Sequence, residues 1–150
     1  MNMKIPVTVS IKTERKSHDP MHIENPRTEV RTATVNGYLS RTRKGLTCVF
    51  SEENSDTVTT VSTLGKNMVS VNKIGDFNSL MVFDPEKSYS CVYHNGNMPM
   101  QLKVSTKSLR NGLTAQGGKI DIDYTVEIVG NLAEHTKMSF SVLPQSGLVS

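Results

Sequence analysis

Apolar and polar side chains alternate along most of this chain. Ile5, Val7, Val9 and Ile11 interleave with Pro6, Thr8, Ser10 and Lys12. Ile120, Ile122, Tyr124, Val126 and Ile128 interleave with Lys119, Asp121, Asp123, Thr125 and Glu127. Met138, Phe140 and Val142 do the same against Lys137, Ser139 and Ser141. A period of two places every second side chain on one face of a β-strand. A helical period is not sustained anywhere, so helix is confined to a turn or two near residues 108–113 or 132–137.

Turn residues divide the alternating runs. Strands are predicted at residues 5–11, 29–40, 46–50, 58–64, 68–74, 79–83, 89–93, 100–106, 120–128 and 138–142. Residues 12–28 are polar and broken by Asp19-Pro20 and Asn25-Pro26, which predicts a long loop. Asn36-Gly37 reads either as a hairpin turn or as a bend inside a strand. The bend is preferred, because Lys44-Gly45 lies just beyond and is the better turn. From Pro144 to residue 150 a loose tail is expected.

One apolar face per strand points to antiparallel pairing, since parallel strands covered on both sides read as continuous apolar runs. Short connections favour neighbouring strands. An up-and-down meander leaves two unpaired edges, and closure removes them. The expected fold is therefore all-β, an antiparallel meander closed into a barrel of about eight to ten strands. A sandwich is the second choice.

Composition sharpens this picture. Val, Ile and Thr occur 38 times in 150 residues and Ala only 3 times. Side chains branched at Cβ suit a pleated surface. The length suits a single domain over residues 1–150. Neither a membrane-spanning apolar run nor a signal-peptide core is present in the sequence, so the expected compartment is the cytoplasm. Cys48 and Cys91 show neither zinc nor disulfide spacing and read as reduced, buried thiols. The net charge of +3 is uneven: residues 1–44 carry 9 basic and 4 acidic side chains, the remainder 8 and 10.

The order of motifs resembles a known family. The segments Pro6-Val7-Thr8-Val9-Ser10-Ile11, Val69-Ser70-Val71-Asn72-Lys73-Ile74-Gly75, Met81-Val82-Phe83 and Thr106-Lys107-Ser108-Leu109 carry it. Gly118-Lys119-Ile120-Asp121-Ile122-Asp123-Tyr124 completes the set. Together they resemble the YwiB-like family of uncharacterised bacterial proteins. The resemblance implies a calycin-like, lipocalin-like closed barrel and no established activity. Two departures stand out. The family tends to have Arg where Lys73 stands, and His94-Asn95 replaces a Thr-Pro pair. A lysine offers a point charge where arginine offers a planar fork.

Several chemistries find no support in the sequence. His18 and His22 have a metal-binding spacing for a helix, but Pro20 and the loop context oppose one. His94 and His135 read as turn histidines. Neither a nucleophile elbow nor a phosphate-cradling glycine loop is present. Asp121 and Asp123 read as a surface pair satisfied by the strand of Lys137. No enzyme, cofactor or metal is expected.

The barrel interior remains. Eight or so strands enclose a lumen that side chains just fill, or that holds one small ligand. Tyr93, Tyr124 and Thr106 would offer polar groups there, and Lys73 a cation near one mouth. These four are the candidate ligand-binding residues. The leading expectation is a non-enzymatic barrel binding a small, partly apolar ligand. The alternative is an interaction module that meets a protein or anionic partner through its basic N-terminal third. Nucleic acid is disfavoured, because few aromatics remain for a stacking surface. A homodimer through an uncovered strand edge or the 12–28 loop is a third expectation.

Overall fold

Strands with one apolar face need partners on both sides and a shared interior. The computed structural model shows how this chain supplies them. It describes residues 4–17, 27–52, 55–65, 67–75, 78–95, 98–128 and 133–145, without the side chains of residues 17, 27, 93–95, 98 and 133. Among the described residues ten strands form: β1 (Lys4–Ser17), β2 (Arg27–Arg41), β3 (Leu46–Ser51), β4 (Val58–Thr63), β5 (Val69–Ile74), β6 (Ser79–Phe83), β7 (Tyr89–Asn95), β8 (Met98–Asn111), β9 (Gly118–Ile128) and β10 (Ala133–Pro144). All lie in one antiparallel sheet ordered β6-β5-β4-β3-β2-β1-β10-β9-β8-β7. The first and last strands pair with each other, from Val7 opposite Pro144 to Ser17 opposite Glu134. The two free edges therefore belong to β6 and β7, which are consecutive in sequence. They approach each other without a ladder, leaving a nearly closed, calycin-like barrel. Among the described residues no helix is long and apolar enough to cross a membrane.

Three expectations need correction. Residues 12–28 are not one long loop: 12–17 continue β1 and 27–28 open β2. Polar on both faces, residues 12–17 still hold as a strand because β2 lies on one side and β10 on the other. Opposite charges also face each other there: Glu14 stands opposite Lys137 and Arg15 opposite Glu29, a pairing that stabilises a sheet. The histidines His18 and His22 lie outside the described residues. Secondly, residues 108–111 lie in β8 and 133–137 in β10, with no helix in either. Thirdly, the C-terminal tail is tied at its start. The Gln145 amide donates to the Pro6 carbonyl at 3.0 Å, and its side chain donates to Asn36 Oδ1 at 2.8 Å. Residues 146–150 lie outside the described part.

Gly37 settles the choice between turn and bend. It sits inside β2, opposite Val7 and Phe50. A Cβ there would meet the Val49 carbonyl oxygen at 2.5 Å and the Phe50 Cβ at 2.9 Å. The strand passes too close to β3 at this point to carry a side chain.

Inward-facing Val7, Val9, Leu39, Val61, Ile120 and Val142 are at most 2% exposed and fill one end of the barrel. Burying a Val or Leu side chain is worth about 1.5–3 kcal/mol, so this plug is the main source of stability.

Candidate functional site

The inward positions change character along the barrel axis. On β1 the series Val7, Val9, Ile11 continues as Thr13 and Arg15. On β2 the antiparallel series Leu39, Gly37, Val35 continues as Ala33 and Arg31. On β5, Val69 and Val71 give way to Lys73, opposite Thr59 of β4. One half of the lumen is thus filled by branched and aromatic side chains. The other half is walled by small or polar ones and holds a cavity of about 550 Å³. Phe50 and Phe140 floor it, with ring centroids 6.4 Å apart and planes inclined at 50°. Their rings separate the cavity from the packed end.

Among the described residues four charged side chains line this cavity: Arg15, Arg31, Lys73 and Glu52. Lys73 Nζ lies 2.9 Å from Glu52 Oε1, and the Thr59 hydroxyl donates to the same oxygen at 3.2 Å. Both partners of this ion pair are about one-third exposed, so the pair sits at the mouth. The two arginines are held by glutamates outside the lining. Arg15 Nε is 3.6 Å from Glu134 Oε1, and Arg31 Nε is 2.6 Å from Glu29 Oε1.

Tyr124 projects into the same space from β9. Its ring packs on Phe83 at a centroid distance of 4.6 Å. Burial pushes the phenol up to about 12; Arg15 and a hydrogen bond with Thr136 oppose that shift, and Glu134 adds to it. The phenol is therefore neutral at ordinary pH and serves the cavity as an uncharged polar group. Burial also pushes the Cys48 thiol up to about 11 and the Cys91 thiol upward.

Of the four candidate residues from sequence, Lys73 and Tyr124 meet in the cavity. Thr106 does not line it. Its hydroxyl is buried without a hydrogen-bond partner among the described residues, beside the register shift between Thr106 and Ser108 in β8. Tyr93 pairs through its backbone with Met100, and its side chain lies outside the described part. Sequence reasoning missed Arg15, Arg31 and Glu52. The signal was available: each continues the inward parity of its strand past the last apolar residue. Glu52 follows Cys48 and Phe50 in this way.

The basic N-terminal third does not form one surface. Arg15 and Arg31 line the lumen, whereas Lys12 stands on the opposite face of β1. Arg43 and Lys44 lie in the turn between β2 and β3, toward the packed end. The acidic pair on β9 is satisfied by β10, though not through Lys137. Ser139 donates to Asp121 Oδ1 at 2.6 Å, and His135 hydrogen-bonds Asp123. His135 is thus a strand residue, opposite Thr125, and the expectation of a turn is corrected. Among the described residues, no group of three or more His, Cys, Asp or Glu side chains could hold a metal ion.

Comparison with solved structures finds the crystal structure of ywiB protein from Bacillus subtilis. The match covers 92% of each chain at 22% identity, with a TM-score of 0.74; at that identity it shows a shared fold. No curated protein sequence matches this chain. A family model does: residues 9–140, from the second core valine of β1 to the floor phenylalanine of β10, match the Domain of unknown function (DUF1934). The chain belongs to that family.

Proposed function

We propose that this protein is a non-enzymatic binder of one small, partly apolar ligand, held in the barrel lumen. The observation that carries the reading is the cavity of about 550 Å³ above the Phe50–Phe140 floor. That volume is within the range of about 300–1,000 Å³ typical of small-molecule sites. Its wall is built from side chains too small to fill it, among them Thr13, Ala33, Thr59 and Ser79. Met81 and Met138 offer adaptable apolar surface, while Tyr124 and Lys73 add polar groups from opposite sides. The free thiols Cys48 and Cys91 support a reducing compartment, the cytoplasm.

Native mass spectrometry of protein purified from its own cells tests the reading. The expected result is a folded species with one retained small molecule, lost on unfolding. A single apo mass under gentle ionisation, with no mass shift on adding apolar probes, would overturn it.

A further inference from the structure

The ligand class can be taken further, on the basis of the lumen reading above. Among the described residues, three cations, Arg15, Arg31 and Lys73, and one acid, Glu52, line the cavity. The cations converge from separate walls. Arg31 stands opposite Thr13, so Arg15, two residues on, is its diagonal neighbour on the same face. Such diagonal pairs lie about 7–8 Å apart, close enough for both guanidinium groups to reach one ligand group. Lys73 comes from β5, three strands from β2 and four from β1 in a ring of ten, close to the opposite wall.

The donors that face the cavity are not used up. Glu134 and Glu29 approach the Nε edges of Arg15 and Arg31. Each of these contacts is made at Nε, one of a guanidinium's five N–H donors. Lys73 has three N–H donors and gives one to Glu52. Below this belt the wall turns apolar, with Val71, Met81, Met138 and the two phenylalanines. Each cation keeps one carboxylate partner, Glu134, Glu29 or Glu52, so what the mouth offers a ligand is the remaining N–H donors of three cations, which suit an anionic, acceptor-rich head group. The planar fork of arginine matches a carboxylate or phosphate oxygen pair.

We propose that the lumen takes an amphiphilic anion, with its head group among Arg15, Arg31 and Lys73 and its apolar body on the Phe50–Phe140 floor. Glu52 is the opposing charge inside the lining, and the head group competes with it for Lys73. At about 30 Å³ per water-sized group the cavity of about 550 Å³ holds up to roughly eighteen non-hydrogen atoms. A medium-chain carboxylate fits well within that limit.

Calorimetric titration with octanoate, octanol and octylammonium tests this, at near-neutral pH and low salt. The three probes share a chain and differ in head-group charge. Octanoate is expected to bind roughly tenfold more tightly than octanol, the scale of one charge-assisted hydrogen bond, and octylammonium weakest. Arg31→Gln is expected to narrow the octanoate-to-octanol ratio to about threefold or less. That side chain is 74% exposed, so the variant should fold. Glu52→Gln is expected to widen the ratio by freeing Lys73. A phosphate ester of octanol, run in parallel, separates a phosphate head from a carboxylate head. Octanol or octylammonium binding as tightly as octanoate would overturn the anion while leaving lumen binding intact. Failure of all the octyl probes to bind would overturn the lumen reading and this inference together.

Discussion

Alkaline conditions should destabilise this protein through Tyr124, and one substitution isolates the effect. The phenol is 6% exposed, and burial pushes it from 10.0 to about 12. A group whose folded pKa is raised contributes stability below its unfolded pKa. That contribution is lost as pH rises through the folded value. The window is therefore pH 10 to 12. One pKa unit corresponds to about 1.4 kcal/mol, so the full loss is about 3 kcal/mol. Half of it, about 1.4 kcal/mol, is reached at pH 11, midway through the window. Urea denaturation at pH 8 and pH 11 reads it directly. Tyr124→Phe also carries a cost at pH 8 from removing the hydroxyl beside Thr136. That cost is the same at both pH values and cancels in the difference. Cys48 titrates in both proteins and cancels likewise. The variant should therefore lose about 1.4 kcal/mol less than the wild type between the two pH values. Equal losses in the two proteins would refute the burial argument.

Other parts of the structure make equally specific predictions. Cys48 is 1% exposed with its thiol pushed up to about 11, whereas Cys91 is half-buried beside the β6–β7 seam. A chromogenic disulfide reagent at pH 8 should label Cys91 first and Cys48 only on unfolding; rapid labelling of Cys48 in Cys91→Ser would contradict this packing. Gly37→Ala should cost about 1–3 kcal/mol in urea denaturation, because the new Cβ overlaps the Val49 carbonyl and Phe50. A change under about 0.5 kcal/mol would mean that β2 and β3 are not in close contact there.

Much of this architecture is legible in the alternation alone. Inward parity in Ile120, Ile122 and Tyr124, or in Cys48 and Phe50, is a local property, and the turns fall where Gly, Asn and Pro cluster. The extent of β1 and β2 is not local. Residues 12–17 look like loop because neither face is apolar, and they become strand only through β2 and β10. The union of β1 with β10, and the seam between the consecutive strands β6 and β7, are likewise long-range outcomes. The same limit explains the site. Lys73 and Tyr124 stand out as polar groups on otherwise apolar strands. Arg15 and Arg31 are hidden in a polar stretch until the inward face is traced past its last apolar residue. Thr106 has the right parity, yet its hydroxyl is buried outside the cavity lining.

If the half-filled lumen is a binding site, it must take up an apolar probe. The most direct measurement is titration of the wild type and Val35→Trp with N-phenylnaphthylamine, a neutral dye that fluoresces in apolar surroundings. Val35 lines the cavity, and an indole there would occupy the space above the floor. Saturable binding of one dye per wild-type chain is expected, with loss of that binding in the folded variant. Equal dye binding by both proteins would contradict a site in the lumen.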